Sequence, residues 1–303
     1  MTTELPLDQV RTLLAAVDEG TFDAAATVLH VTPSAVSQRI KALEQRVGRV
    51  LLQRTKPLRL TDSGRTVARF ARQLAWLERD TLAELGMTPA GEPSRVTIAV
   101  NADSLATWFL PALGRVPQDA RICFELRRED QDHTTALLRE GLVMAAVTSS
   151  PDPVAGCSVR RLGRMRYRAA AAPAFVARWL AGWPATPLGE LLTGVPVVVW
   201  DRRDRLQDAF ADAVTGGTGA GTLRHHVPTS EGFLDAVAAG LGWGMVPQAQ
   251  AAGRLERGEL VDLAPDRPVD VPLYWQQWRL DSPTLTAAAR AVAEQAATTL
   301  DDG

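Results

Sequence analysis

Between Gly20 and Gly48 the chain reads GTFDAAATVLHVTPSAVSQRIKALEQRVG, and no other stretch limits the possible folds as tightly. Val36, Ile40, Leu43 and Val47 recur at helical spacing and make one apolar stripe. Ser34, Ser37, Gln38, Lys41 and Gln45 make a second stripe, polar and basic, on another face of the same helix. Pro33 suits a first helical position, which needs no amide hydrogen, and Gly48 suits a stop. Upstream, Thr21 can cap a helix over 22–30, where Ala25 and Ala26 permit close packing. Val31-Thr32-Pro33 is the short turn between the two. Leu7, Val10, Leu13, Leu14 and Val17 predict a first helix over 7–18, ended by Gly20. Two helices joined by a short turn, the second with an apolar back and a hydrogen-bonding front, form a helix-turn-helix.

The local charge points to double-stranded DNA as a partner. The whole chain has a formal net charge of −2. Within 30–59, however, Arg39, Lys41, Arg46, Arg49, Arg54, Lys56 and Arg59 face Glu44 alone. Such an excess is a footprint for phosphates, although charge by itself would also describe a solvated basic face. Gln38 can both donate to and accept from base edges, and Lys41 can reach guanine or phosphate. Residues 51–60, LLQRTKPLRL, predict a β-ribbon with a basic tip, a wing. Without the polar face and the wing, the same helices would be an ordinary three-helix module.

Downstream, Thr61-Asp62-Ser63 offers caps for a long helix to about Leu85. Val67, Phe70, Leu74 and Leu77 give it an apolar seam that a second copy could bury, making a homodimer. The other reading is a seam buried in its own chain. Gly86, Pro89, Gly91, Pro93 and Ser94 form a linker. Strand candidates then follow at 95–100, 121–127, 145–149, 195–200, 224–229, 243–246 and 271–278. Helix candidates fall at 104–110, 133–140, 205–214, 231–240 and 248–257, with a last one at 282–300. The alternation is an α/β pattern, in which ligands sit beyond the carboxyl ends of strands.

Several functions are excluded or weakened. At 46% hydrophobic and 22% charged the chain is globular, and no apolar run is long enough to span a membrane. The N-terminus has no signal-peptide pattern, and Cys123 and Cys157 have no CxxC spacing, so a cytoplasmic protein with reduced thiols is expected. His30, His133, His225 and His226 show no metal-ligand spacing. There is no G-x-S-x-G, and GGTGAG (216–221) and GLGWGM (240–245) both miss the G-x-G-x-x-G spacing. No catalytic residue, cofactor or metal is assigned. A secreted solute-binding protein would have no use for residues 1–60.

The run 20–55, together with the long helix and the distal α/β pattern, closely resembles LysR-type transcriptional regulators. VNADSLATWFLP (100–111), EDQDHT (129–134), EGFLDAVAAGLGWGMVP (231–247) and LYWQQW (273–278) are similar to one branch, the LysG/ArgP group. That branch senses lysine or arginine and switches on a basic amino acid exporter gene. The resemblance implies a multidomain α+β fold. A winged helix-turn-helix would cover 1–60, a dimerising linker helix 61–86, a hinge 87–94 and an effector domain 95–303. The effector domain would have two Rossmann-like, periplasmic-binding-protein-like halves, about 95–165 with 268–303, and 166–267. A homotetramer, contact with RNA polymerase and action in the cytoplasm, away from membranes, follow from the same resemblance. The family's DNA contacts carry over to Pro33, Ser34, Ser37, Gln38 and, in the wing, Arg54; Lys41 and Lys56 join them on charge. Many members have Arg where this chain has Gln38, which implies altered base preference.

A free basic amino acid would need acceptors for two cations and donors for its α-carboxylate. Strand ends supply candidates for the effector site: Asn101, Asp103, Ser104, Glu129, Asp130, Thr148, Ser149, Asp201, Ser230 and Glu231. Ser104 and Ser230 are read as carboxylate binders, and Asp103 with Glu129 or Asp130 as cation binders. Asp103 or Ser104 could instead be a plain helix cap, and Glu231 only a favourable charge at a helix start. Trp108, Trp243 and Trp275 are read as core. A different effector, or an origin-binding protein that needs no ligand, remain the alternatives.

Overall fold

The computed structural model describes residues 4–87, 93–118, 121–129, 134–217 and 219–301. It opens with α1 (Leu7–Asp18), α2 (Phe22–Val28) and α3 (Pro33–Val47), followed by a ribbon of β1 (Leu52–Gln53) and β2 (Arg59–Leu60). The caps are those the sequence provides. Thr21 Oγ1 accepts from the Ala24 amide, Thr32 Oγ1 from Ala35, and Gly48 closes α3 at φ 71°. Val10, Leu13, Val36, Ile40 and Leu43 are buried together, so the apolar stripe of α3 is the inner face of that helix. The long helix α4 (Asp62–Glu84) is capped by Thr61 through the Gly64 amide.

The apolar side chains of α4 are divided between two domains and the surface. Val67 is buried in the winged domain with Ala71. Trp76 packs against the core of the distal domain. Phe70 and Leu77 are 39% and 37% exposed, with Leu82, Leu85 and Met87 beyond them. Arg72 joins both domains: it donates to Asp18 of α1 at 2.7 Å and to the Glu140 carbonyl at 2.7 Å.

The distal domain begins with β3 (Ser94–Val100), then a continuous helical stretch of α5 (Ala102–Ser104), a π segment (Leu105–Phe109) and α6 (Leu110–Leu113). There follow β4 (Ile122–Arg128), α7 (Thr134–Glu140), β5 (Ala145–Thr148), β6 (Cys157–Ala171), α8 (Pro173–Trp179), α9 (Leu188–Leu191) and β7 (Val197–Val199). The chain continues through α10 (Leu206–Thr215), β8 (Arg224–His226), α11 (Ser230–Ala238), β9 (Gly244–Pro247), α12 (Gln248–Glu256), β10 (Val261–Asp262), β11 (Val269–Trp278) and α13 (Pro283–Thr299). Strand order in the main sheet is β10-β6-β11-β5-β3-β4, with β9 also on β6, while β7 and β8 pair in parallel. Trp108, Trp243 and Trp275 are core residues, each at most 3% exposed.

The chief departure from the sequence reading is β6, for which no strand is foreseen. Its 15 residues run through both halves, pairing with β11 along most of its length and with β9 and β10 at its C-terminal end. The two halves are thus sewn together by β6. From Arg164 onward its side chains alternate, with Met165, Tyr167 and Ala169 buried and the intervening arginines half-buried. The short α8, α9 and β10 are also unforeseen. The hinge residues Pro89 and Gly91 lie outside the described residues, as does His133. Cys157 is buried, which pushes its thiol up to about 11, and Cys123 is exposed.

Candidate functional site

Two surfaces carry the predicted chemistry. The first is the outer face of α3 with the wing. Pro33, Ser34, Gln38 and Lys41 are exposed there, and Ser37 is half-buried between them. Ser34 is partly engaged, its hydroxyl 2.9 Å from the Thr32 capping oxygen. Arg54 and Lys56 are exposed in the loop between β1 and β2. The acid nearest in sequence does not offset this charge at the DNA-facing side. Glu44 turns its carboxylate to the wing base and accepts from the amides of Leu51, at 2.8 Å, and Leu52. The wing is also tied to the α1–α2 turn, because the Leu58 amide donates to the Gly20 carbonyl at 2.9 Å. Recognition helix and basic ribbon therefore form one preorganised surface.

The second is a cleft of about 600 Å³ between the two halves of the distal domain. Asn101 and Asp103, just after β3, form one wall with Glu129, which follows β4. Asp201, Asp204 and Gln207 come from the β7–α10 connection, and Ser230 from the first turn of α11. Asp103 is no cap. Its Oδ2 accepts from the Tyr167 hydroxyl at 2.7 Å and its Oδ1 from Ser230 Oγ at 2.6 Å. One carboxylate thus holds β6 and α11 against α5. Burial raises its pKa above the ordinary 3.8, against the two hydroxyl donors, and the charges of Asp204 and Glu231 add to the rise. Asp204 is raised too, chiefly by burial, although the amides of Trp200 and Leu206 donate to it. Among the described residues, no lysine or arginine forms an ion pair with Asp103, Glu129, Asp201 or Asp204. Asn101 is 3% exposed and neither polar atom of its amide has a partner.

The other candidates lie elsewhere. Ser104 is one helical step past Asp103, so its hydroxyl points into the core, fully buried and without a partner. Thr148 is fully buried at the end of β5, where its hydroxyl accepts from the Ser150 amide at 3.2 Å, and Ser149 beside it does not line the cleft. Glu231 is exposed on α11, next to Ser230 but off the cleft wall. Asp130 lies outside the described residues. Tyr167, Asp204, Gln207 and Gln250 are cleft residues that the sequence reading misses, together with Arg128, Arg203 and Arg205 at its margin. Tyr167 is missed because β6 is missed. Asp204 had a signal, since it sits three residues past Asp201 in WDRRDRL, where a strand gives way to a helix.

Both modules match known protein families. Residues 7–65 match the bacterial regulatory helix-turn-helix family of LysR type, and residues 89–297 match the LysR substrate-binding domain. The HTH-type transcriptional regulator LysG of Mycobacterium tuberculosis is 49% identical over 297 residues, covering 94% of this chain and 92% of LysG. The crystal structure of ArgP from the same organism superposes with a TM-score of 0.88 at 46% identity, covering 97% of this chain and 98% of ArgP. Full-length LysG of Corynebacterium glutamicum with bound effector arginine superposes with a TM-score of 0.83 at 40% identity, covering 98% and 99%. With a matching DNA-binding module, a matching ligand-binding module and relatives similar from end to end, this chain belongs to the LysR family of DNA-binding transcriptional regulators, which are not enzymes.

Proposed function

We propose that the protein senses a basic amino acid, arginine or lysine, and in response activates transcription of an amino acid exporter gene. The observation that carries this reading is Asp103: a buried carboxylate in the cleft between the two halves, hydrogen-bonded to two hydroxyls and, among the described residues, in no ion pair. A ligand ammonium or guanidinium would supply the missing charge. The arginine bound to the similar C. glutamicum LysG supports the choice of ligand class. Asn101, Asp103, Glu129, Asp201 and Ser230 form the effector site, and Arg128, which ends β4 in the same lining, is the arginine placed to favour the α-carboxylate away from Asp204.

On the DNA side, Pro33, Ser34, Ser37, Gln38 and Lys41 enter the major groove, and Arg54 and Lys56 contact phosphates along the wing. The work is done in the cytoplasm; among the described residues no helix is long and apolar enough to cross a membrane. Two copies joined along α4 set the spacing of two half-sites, and two such dimers form a tetramer that meets RNA polymerase. The exposed stripe of Phe70 and Leu77 supports that interface. Leu77→Asp places a charge in it and should convert the dimer to a monomer by sedimentation. A Leu77→Asp protein with unchanged mass in solution would remove α4 as the dimer seam.

The reading is tested by transcription from the neighbouring promoter with each common amino acid added separately. Arginine or lysine alone should raise it. A response to neither, with operator binding intact, sinks basic amino acid sensing and leaves the DNA-binding role standing. A response to a different metabolite, or ligand-independent binding at a replication origin, are the outcomes that would replace it.

A further inference from the structure

The cleft holds a second carboxylate that the α-amino end of a ligand cannot also use. Asp204 lines the same cleft as Asp103, and its charge adds to the rise of the Asp103 carboxyl. Its local duties are modest. Oδ2 accepts from the Trp200 amide at 2.9 Å and Oδ1 from the Leu206 amide at 3.0 Å, which closes the turn before α10. An asparagine or serine, each with one side-chain acceptor oxygen, could serve one of these two amides without placing a charge there. A half-buried carboxylate with no ion pair among the described residues is expensive for capping alone.

The neighbour of Asp204 is the second, independent observation. Gln207, one turn along in α10, lines the same cleft and is 2% exposed, and its side-chain amide supports the Asp204 carboxylate. Its Oε1 accepts from nothing. A buried amide oxygen without a donor is costly, and cleft water or a ligand is what remains to satisfy it. Asn101, on the opposite wall, is in the same condition at both ends of its amide. The cleft lining therefore sets a carboxylate beside a buried amide oxygen that lacks a donor, which a turn of the Gln207 side chain would present to a ligand, and holds Asp103 with Ser230 elsewhere.

We propose that Asp204 and Gln207 together form the subsite for the distal cation of the effector, and that Gln207 makes this subsite prefer a guanidinium to an ammonium. This rests on the reading of the cleft as a basic amino acid site. A guanidinium is planar, presents its donors in a fixed fork and is weakly hydrated, so it can serve a carboxylate edge and a neighbouring carbonyl at once. An ammonium is a compact and strongly hydrated charge that gains most from the carboxylate and little from the carbonyl. Asp204 thus sets the requirement for a positive charge, and Gln207 sets which positive charge.

The test is calorimetric binding of L-arginine, L-lysine, L-citrulline and L-norleucine to the full-length protein, wild type and two variants. Citrulline is isosteric with arginine but uncharged at its distal end, and norleucine keeps the carbon chain of lysine and lacks its ammonium. In Asp204→Asn the preference for arginine over citrulline should fall by about 10-fold or more. In Gln207→Leu the preference for arginine over lysine should fall several-fold, with lysine over norleucine kept. If wild type binds arginine and all of these ratios stay within roughly two-fold of wild type in both variants, the subsite is overturned and the effector reading stands. If wild type binds neither arginine nor lysine, the effector reading falls and this proposal falls with it.

Discussion

Asp103→Asn is expected to stabilise the effector-free protein near neutral pH while weakening arginine binding by about 10- to 100-fold. The two effects have one cause. The Asp103 carboxyl titrates above the ordinary 3.8 because burial disfavours its charge. As pH rises through the ordinary carboxylate range, the unfolded chain releases this proton before the folded protein does. Stability is therefore lost as pH rises from 3.8 to the raised folded value, and the loss is complete above it. Asparagine has no proton to lose, so the variant should lack that part of the decline. Asp204 is raised in the same direction and will leave a residual slope, so the comparison is between variant and wild-type profiles.

The hydrogen-bond count leads to the same sign. Ser230 Oγ lies 2.6 Å from Asp103 and 3.1 Å from the Gln250 side-chain oxygen. Its single proton cannot serve both. A protonated Asp103 can donate to Ser230, which then donates onward to Gln250. An ionised Asp103 takes the Ser230 proton and leaves Gln250 unserved. A ligand cation reverses the preference by pairing with the ionised form. Arginine affinity should therefore rise with pH across the Asp103 titration, with a proton released on binding that calorimetry in buffers of different ionisation heat detects. If Asp103→Asn binds arginine as wild type does and its pH–stability profile overlays wild type, Asp103 is a structural bridge only.

The sequence disclosed the DNA-binding surface more fully than the cleft, for a physical reason. A helix-turn-helix is local: the stripe of Val36, Ile40 and Leu43, the caps at Thr21 and Thr32 and the stop at Gly48 all act within a few residues of one another. The cleft joins residues far apart in the chain, as in the bond between Asp103 and Ser230 across 127 positions. Strand ends identified Asn101, Asp103, Glu129, Asp201 and Ser230 because a strand's end has a known place in an α/β sheet. Direction within a turn was not legible. Ser104 and Asp103 are neighbours in sequence, yet one helical step sends the first into the core and the second into the cleft. The strand β6 was hidden by its arginines. In VRRLGRMRYRAAA the half-buried Arg164, Arg166 and Arg168 pass for a charged connection, although Met165, Tyr167 and Ala169 alternate with them at strand period. Arg166 is held by Asp270 of β11 and Arg168 by Gln248 and Asp262, partners that only the folded sheet brings near.

Gly64→Ala is expected to cost roughly 3 kcal/mol or more of winged-domain stability, a large effect for adding one methyl group. Gly64 lies in the first turn of α4, and a Cβ built there would stand 2.0 Å from the Leu51 carbonyl oxygen and 2.9 Å from its carbon. Both are backbone atoms at the base of the wing and cannot swing aside. The same junction carries three bonds. The Thr61 amide donates to the Leu51 carbonyl at 3.0 Å, the Thr61 hydroxyl donates to the Val50 carbonyl at 2.7 Å, and the Gly64 amide donates to Thr61 Oγ1 at 3.0 Å. To admit the methyl group, α4 must lift from the wing, which strains these bonds and loosens Val67 and Ala71 from the core. Gly48→Ala is the control. Its φ of 71° makes alanine unfavourable, but nothing lies within 4 Å of the new Cβ, so the cost should be only about 1 kcal/mol. Thermal unfolding separates the two, and hydrogen exchange should locate the Gly64→Ala loss at the wing and the start of α4. Operator affinity should fall further than the loss of folded protein accounts for, because in the proposed dimer α4 would also set where each recognition helix stands relative to its partner. Equal melting of Gly64→Ala and wild type would mean that α4 does not start against Leu51, and the wing would then need another anchor.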